Sequence, residues 1–161
     1  MIVRRVRKEE WEVYRTLRLN ALRLAPDAFG SRYEDAKLLP DEEWQKRVNR
    51  FATDSVAVNF IAFQNEQAVG MVSCFITDKA EMVQMWVEPN GRRSRVGEAL
   101  VNALFDWLKS ASVPKVFADA FESNASALKL YLKMGFVVAE RIEDASAEPA
   151  KRVELKLERV L

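Results

Sequence analysis

The sequence predicts an α/β sandwich, a mixed sheet with helices covering both faces. Stretches with apolar residues at helical spacing lie both before and after a block of β-rich runs. Those β runs are apolar on both faces, as in a sheet covered on each side rather than wetted on one. Their order is strand, two helices, a three-strand meander, helix, strand, helix and two strands, which is not a regular βαβ array. At 161 residues and 49% hydrophobic, the chain is long enough for one well-buried core and short for two, so residues 1–161 read as a single domain.

A short strand is expected near residues 2 to 6, then a helix from Lys8 to Leu24 that buries Trp11, Tyr14, Leu17, Ala21 and Leu24. The stretch from Ala25 to Ser31 breaks that period. Pro40 followed by Asp41-Glu42-Glu43 starts a second helix, with acidic residues favoured by its N-terminal dipole. Val56 to Phe63 and Ala68 to Ile76 read as strands joined by a hairpin turn at Asn65-Glu66, and Met82 to Val87 as a third ending at Pro89-Asn90-Gly91. A helix from Ser94 to Ala111 presents Val96, Leu100, Leu104, Trp107 and Leu108 on one side. After Pro114 come a strand (Val116 to Phe121), a helix (Asn124 to Met134, stopped by Gly135) and a strand (Phe136 to Ile142). Val153 to Arg159 alternates apolar and charged residues and should have one wet face. The polar, Pro-containing stretch from Asp144 to Lys151 between these last strands is expected to be a mobile loop.

Composition excludes several classes. Lys and Arg total 25 against 24 Asp and Glu, so the basic surface of a nucleic-acid binder is missing. No stretch approaches the roughly 20 apolar residues of a membrane span, and no signal-peptide run opens the chain, so a cytoplasmic protein without a membrane partner is expected. One cysteine, Cys74, rules out an internal disulfide and a Cys-rich zinc site. There is no histidine, which removes the usual general base and the commonest metal ligand; no metal is expected.

The most specific local feature runs from Trp86 to Leu100, where a strand feeds through a basic, Gly-containing turn into a helix. Such a turn aims free backbone N–H groups and the positive helix end at one point, where a pyrophosphate can sit. Arg92, Arg93 and Arg95 add charge, and Gly97 in the first helical turn lets phosphates approach the backbone closely. Neither the Gly-Lys-Ser/Thr of a P-loop nor a G-x-G-x-x-G is present. The turn resembles the acyl-CoA signature of the GNAT superfamily of N-acetyltransferases, Gln/Arg-x-x-Gly-x-Gly/Ala. Arg92 matches its first position and Gly97 its last, while Arg95 stands at its first glycine. A second segment, Asn124 to Phe136, is similar to the family's Asn-x-x-Ala-x-x-Leu-Tyr-x-Lys-x-Gly-Phe at every specified position. Asn124 is a good N-cap, Ala127 keeps the helix surface low, and Tyr131 follows four residues later on the same face.

The resemblance implies a mixed, mostly antiparallel GNAT-like sheet and an N-acetyltransferase that moves an acetyl group from acetyl-CoA to a primary amine. It implies that acetyl-CoA lies against Met85, Trp86 and Val87 of the strand, against Arg92, Arg93, Ser94, Arg95, Val96, Gly97 and Glu98 of the turn, and against Asn124, Ala127, Tyr131 and Lys133. Tyr131 would be the general acid for the departing thiolate. Glu81, at the start of the same strand, is the candidate general base; many relatives use water chains, and Glu122 is a rival. Cys74 reads as a small core residue, because no histidine exists to activate it. Acceptor choice falls to residues 25 to 44, where Asp27, Glu34 and Asp35 are candidates to attract a cation and equally ordinary surface charge. The acceptor stays open among small-molecule and protein amines, and a homodimer is compatible with the sequence. The competing reading is a catalytically inactive acyl-CoA-binding module, which Arg95 keeps alive.

Overall fold

The computed structural model describes residues 1–144 and 152–161, so the stretch expected to form a mobile loop lies, from Ala145 to Lys151, outside the described residues. The chain runs through β1 (Ile2–Arg5), α1 (Trp11–Leu24), α2 (Tyr33–Ala36), α3 (Asp41–Thr53), β2 (Ala57–Gln64), β3 (Gln67–Ile76) and β4 (Ala80–Val87). It continues through α4 (Val96–Ser110), β5 (Lys115–Phe121), α5 (Ala125–Lys133), β6 (Val137–Asp144) and β7 (Arg152–Val160). Among the described residues, seven strands form one sheet in the order β1-β2-β3-β4-β5-β7-β6, antiparallel except for the β4–β5 pair. The mixed, mostly antiparallel sheet is as expected.

Alternation along the strands sorts the core into two layers. Val58, Ala62, Val72, Cys74 and Met82 face a cluster built with Val96, Leu100, Leu104 and Leu108 of α4. Ala57, Ile61, Met71 and Trp86 face the other layer, with Tyr14, Leu17, Ala21 and Leu22 of α1 and Trp44, Val48 and Phe51 of α3. The β2–β3 hairpin turns on Asn65 and Glu66, whose φ of 50° and 66° supply the mirror-image turn that matches strand twist.

Four details differ from the sequence reading. The first helix opens as a 3-10 turn, Lys8–Glu10, because Glu10 turns back to accept from the Arg7 amide at 3.2 Å and from Arg4 at 2.6 Å. An additional one-turn helix, α2, lies before Pro40, anchored by buried Ala36. Leu24 is 47% exposed, since the end of α1 overhangs a cavity instead of the core. Finally, the strand expected from Phe136 begins at Val137 and is exposed along its whole length, because it is an edge strand paired to β7 alone. Phe136 instead packs inside, with rings 5.6 Å from Tyr131 and 5.9 Å from Phe105. Gly135, at φ +89°, makes the helix stop, and the Phe136 amide then donates to the Tyr131 carbonyl at 3.0 Å. No helix among the described residues is long and apolar enough to cross a membrane.

Candidate active site

The site is set by a gap in the sheet. Strands β4 and β5 pair only at Ala80, Glu81 and Met82 with Val116, Phe117 and Ala118. Beyond Met82 they part, because β4 carries a bulge: Gln84 adopts φ 55° and the register with β3 shifts between Met71 and Ser73. The bulge is fastened from below. The Gln84 side-chain oxygen accepts from the Tyr14 hydroxyl at 2.9 Å and from Ser73 Oγ at 2.8 Å, and Ser73 accepts from Asn59 Nδ2 at 2.9 Å. Buried polar groups tied together in this way fix one conformation for the strand.

One cavity, of about 880 Å³, opens between the N-terminus of α4, the C-terminal part of β4 and α5. Of the residues expected to hold a cofactor, it is lined by Met85, Trp86, Val87, Arg92, Arg93, Arg95, Val96, Gly97, Glu98, Asn124, Ala127 and Lys133. Arg93 and Arg95 adopt φ of 69° and 62°, so Arg95 takes the left-handed conformation for which glycine is the default. Its guanidinium and the helix end both present positive charge to the cavity. Asn124 caps α5, its Oδ1 accepting from the Ala127 amide at 3.3 Å. Lys133 pairs with Glu98, tying α5 to the first turn of α4 and holding the Glu98 carboxyl below the usual range. Trp86 is 5% exposed and its Nε1 donor has no partner among the described residues. Both the volume and the charge suit a large phosphate-bearing ligand.

A second cavity, of about 670 Å³, lies on the β5 side and shares Ala28, Phe29, Met85, Asn124 and Ala127 with the first. Tyr131 and Glu81 both line it. Tyr131 is buried, burial pushes its phenol up from 10.0, and no described residue hydrogen-bonds its hydroxyl. A neutral phenol at such a junction holds a proton available for transfer. Glu81 is half-exposed, 3.6 Å from Lys79. The cavity is lined from both layers, by Met82, Ala118, Ala120 and Tyr131 of one and by Arg18, Phe29, Phe75 and Gln84 beside the other. It therefore passes through the gap in the sheet.

Residues 10–136 match the model of the acetyltransferase (GNAT) family. The chain belongs to that family. Its sequence is 31% identical over 80 residues to the [ribosomal protein bS18]-alanine N-acetyltransferase of Escherichia coli strain K12, a match covering 49% of this chain and 54% of that one. The chain thus spans about half the length of the curated relatives it matches. A GNAT-family acetyltransferase from Streptococcus pneumoniae superposes with a TM-score of 0.86 at 17% identity, covering 99% of this chain and 98% of the other. An N-acetyltransferase from Thermoplasma acidophilum in complex with coenzyme A superposes with a TM-score of 0.80 at 17% identity, covering 99% and 98%. These likenesses establish a GNAT fold.

Within this GNAT chain, two residues expected at the cofactor lie outside the first cavity. Ser94 is turned back into the loop, its Oγ donating to the Gly91 carbonyl at 2.6 Å and accepting from Gln64 Nε2 at 3.1 Å. Tyr131 lines the second cavity rather than the first, because four residues of helix carry it past Ala127 to the far side of the junction. Gly97 has a packing role as well: a Cβ there would sit 3.0 Å from Leu130 and 3.4 Å from Met85. Arg92 leans over the Trp86 ring, 5.2 Å from its centroid, and its Nε donates to the Val87 carbonyl at 3.2 Å. Glu122 lines neither cavity and is held by Arg141 at 2.9 Å. Cys74 is buried in the α4 layer, which pushes its thiol up to about 12. Of the acceptor-loop acids only Asp27 reaches a cavity; Glu34 and Asp35 reach neither.

Sequence reasoning missed Tyr14, Arg18 and Gln84 as site residues. Gln84 left no signal, since any polar residue can occupy a bulge. Arg18 did leave one: it stands four residues after Tyr14, on the same stripe of α1 as Ala21 and Leu22.

Proposed function

We propose that residues 1–161 act as one cytoplasmic acetyltransferase domain that transfers an acetyl group from acetyl-CoA to a primary amine by direct attack. The observation that carries this reading is the meeting of two cavities at the β4–β5 gap, with the arginine-rich turn in one and Tyr131 in the other. Acetyl-CoA supplies an activated acetyl thioester. Arg93, Arg95 and the N-terminus of α4 bind its phosphates, and Met85, Trp86 and Val87, unpaired on their β5 side, offer main-chain groups to its amide-bearing arm. Ala127 leaves room for that arm, which brings the reacting carbon to the junction. Glu81, directly or through water, removes one proton from the acceptor ammonium so that its lone pair can attack; Tyr131 gives its proton to the departing sulfur and recovers, through water, the second proton that the nitrogen sheds. A C–N bond forms, the C–S bond breaks, and the products are the acetamide and the free thiol. The bacterial relative named for acetylating a ribosomal protein's alanine is consistent with an amine acceptor of either size. The bare β6 edge would allow a homodimer.

The test is calorimetric titration with acetyl-CoA, with ATP and NAD as controls, followed by assays for amine-dependent thiol release. Selective binding with turnover is expected. Selective binding with no turnover on any amine indicates an inactive binding module, and failure to bind acetyl-CoA overturns the reading.

A further inference from the structure

Arg18 is 7% exposed and lines the second cavity, yet among the described residues its buried Nη1 has no hydrogen-bond partner and no carboxylate pairs with it. The Phe29 ring lies 5.1 Å from the guanidinium. Burial lowers its proton affinity, and among the described residues the titratable groups acting on it are the Tyr14 phenol, which burial keeps neutral, and the like-charged Arg47, with no carboxylate among them. A buried cation left in this state is costly and is tolerated where something else neutralises it. The cavity's other cations are already matched, Lys79 with Glu81 at 3.6 Å and Lys156 with Asp119 at 3.0 Å. Among the described residues, Arg18 is thus the unmatched positive charge at the acceptor side of the gap. It sits on α1 beside Gln84, whose oxygen is already engaged by Tyr14 and Ser73.

We propose that the acceptor is a small amine that also carries a carboxylate, an amino acid in chemical class, and that Arg18 binds that carboxylate. This rests on the N-acetyltransferase reading and narrows it. A guanidinium presents two parallel N–H donors to a carboxylate, which fixes orientation as well as supplying charge. Anchored at Arg18, such a molecule leaves its amine free to approach the junction lined by Met85, Ala127 and Tyr131.

The test measures thiol release from acetyl-CoA with the proteinogenic L-amino acids, with the carboxamide and the decarboxylated amine of each, and with short peptides as carriers of an N-terminal amine. For the acids accepted, kcat/KM is expected to exceed that of the matched carboxamide by about 100-fold, the scale of a buried charge pair. Arg18→Met should raise KM for the acid by about 100-fold and lower the carboxamide's kcat/KM far less, with acetyl-CoA affinity unchanged and Arg18→Lys between Arg18→Met and the parent for the acid. The comparison of acid with carboxamide on the unsubstituted protein stands even where a variant does not fold. Carboxamides, decarboxylated amines or peptides used as well as the acids, or none of the acids used although acetyl-CoA binds, overturn the proposal and leave the acetyltransferase reading standing. Absence of acetyl-CoA binding overturns both.

Discussion

Removing one oxygen atom from Tyr131 separates chemistry from folding unusually well in this protein. In Tyr131→Phe the ring keeps its packing against Phe136, with centroids 5.6 Å apart, and no hydrogen bond among the described residues is lost. The stability change should therefore stay within about 0.5 kcal/mol, as for substitutions that break no named interaction. Turnover should fall about 100-fold, the usual contribution of a positioned general acid, which corresponds to ~2.7 kcal/mol of barrier. KM for acetyl-CoA should not move, because Tyr131 lies outside the cavity that holds the arginine-rich turn. The sign of the pH effect is also fixed. Burial raises the phenol above 10.0, so Tyr131 stays protonated up to at least that pH and its loss of the proton cannot cause a fall in kcat at lower pH. The assay is steady-state thiol release between pH 7 and 10, with thermal melts of both proteins. Equal turnover in the variant would refute the role of general acid, whereas a falling limb near pH 8 that disappears in it would refute the raised phenol.

Three further outcomes follow from other parts of the fold. Arg95 sits at φ 62°, so Arg95→Gly should keep or slightly raise stability, whereas β-branched Arg95→Val should cost about 1–2 kcal/mol; equal urea midpoints for the two would mean that the turn is not held left-handed. Gly70→Ala would place a Cβ 2.9 Å from the Trp86 carbonyl oxygen and 3.1 Å from Leu100 and Val96. It should destabilise by about 1–3 kcal/mol and weaken acetyl-CoA binding by shifting β4; a Tm and affinity like those of the parent would contradict the register. Burial raises the Cys74 thiol from 9.0 to about 12, so its contribution is present below pH 9 and is lost as pH rises through about 12. Tyr14 and Tyr131 add to the same alkaline loss above 10.0. Melting temperature should thus fall above pH 9, with the earliest part of that fall absent in Cys74→Ala; identical profiles would remove Cys74 as its source.

Periodicity and turn chemistry made most of the fold legible. Asn65-Glu66 announced the hairpin, the spacing of Leu100, Leu104 and Leu108 gave α4 its buried side, and Asn124 with Gly135 marked both ends of α5. What the sequence did not carry was conformation held by tertiary contacts. The bulge at Gln84 depends on Tyr14 and Ser73, 70 and 11 residues away in the chain, so no local pattern encodes it. The same holds for α2, whose Tyr-Glu-Asp-Ala has no apolar period and forms because Ala36 finds a place in the core. For the candidate site, the residues of the turn were legible because a cradle for phosphate is made by consecutive residues. The acceptor side, assembled from α1, the loop at Phe29 and strands of both layers, was not.

The brief β4–β5 contact also makes the sheet a pair of leaves. One leaf is β1-β2-β3-β4 and the other β5-β7-β6, and among the described residues three residue pairs join them along the ladder. Each leaf is internally well laced, with β5 and β7 in register over the full length of β5. Opening can therefore begin at the seam without breaking either leaf, and amide hydrogens of Ala80 to Met82 and Val116 to Ala118 should exchange sooner than those at the centre of β2–β3. A molecule seated in the gap touches both leaves at once, so it acts as a missing rung. Its binding free energy is added to the seam itself, and the exchange rates there report occupancy directly.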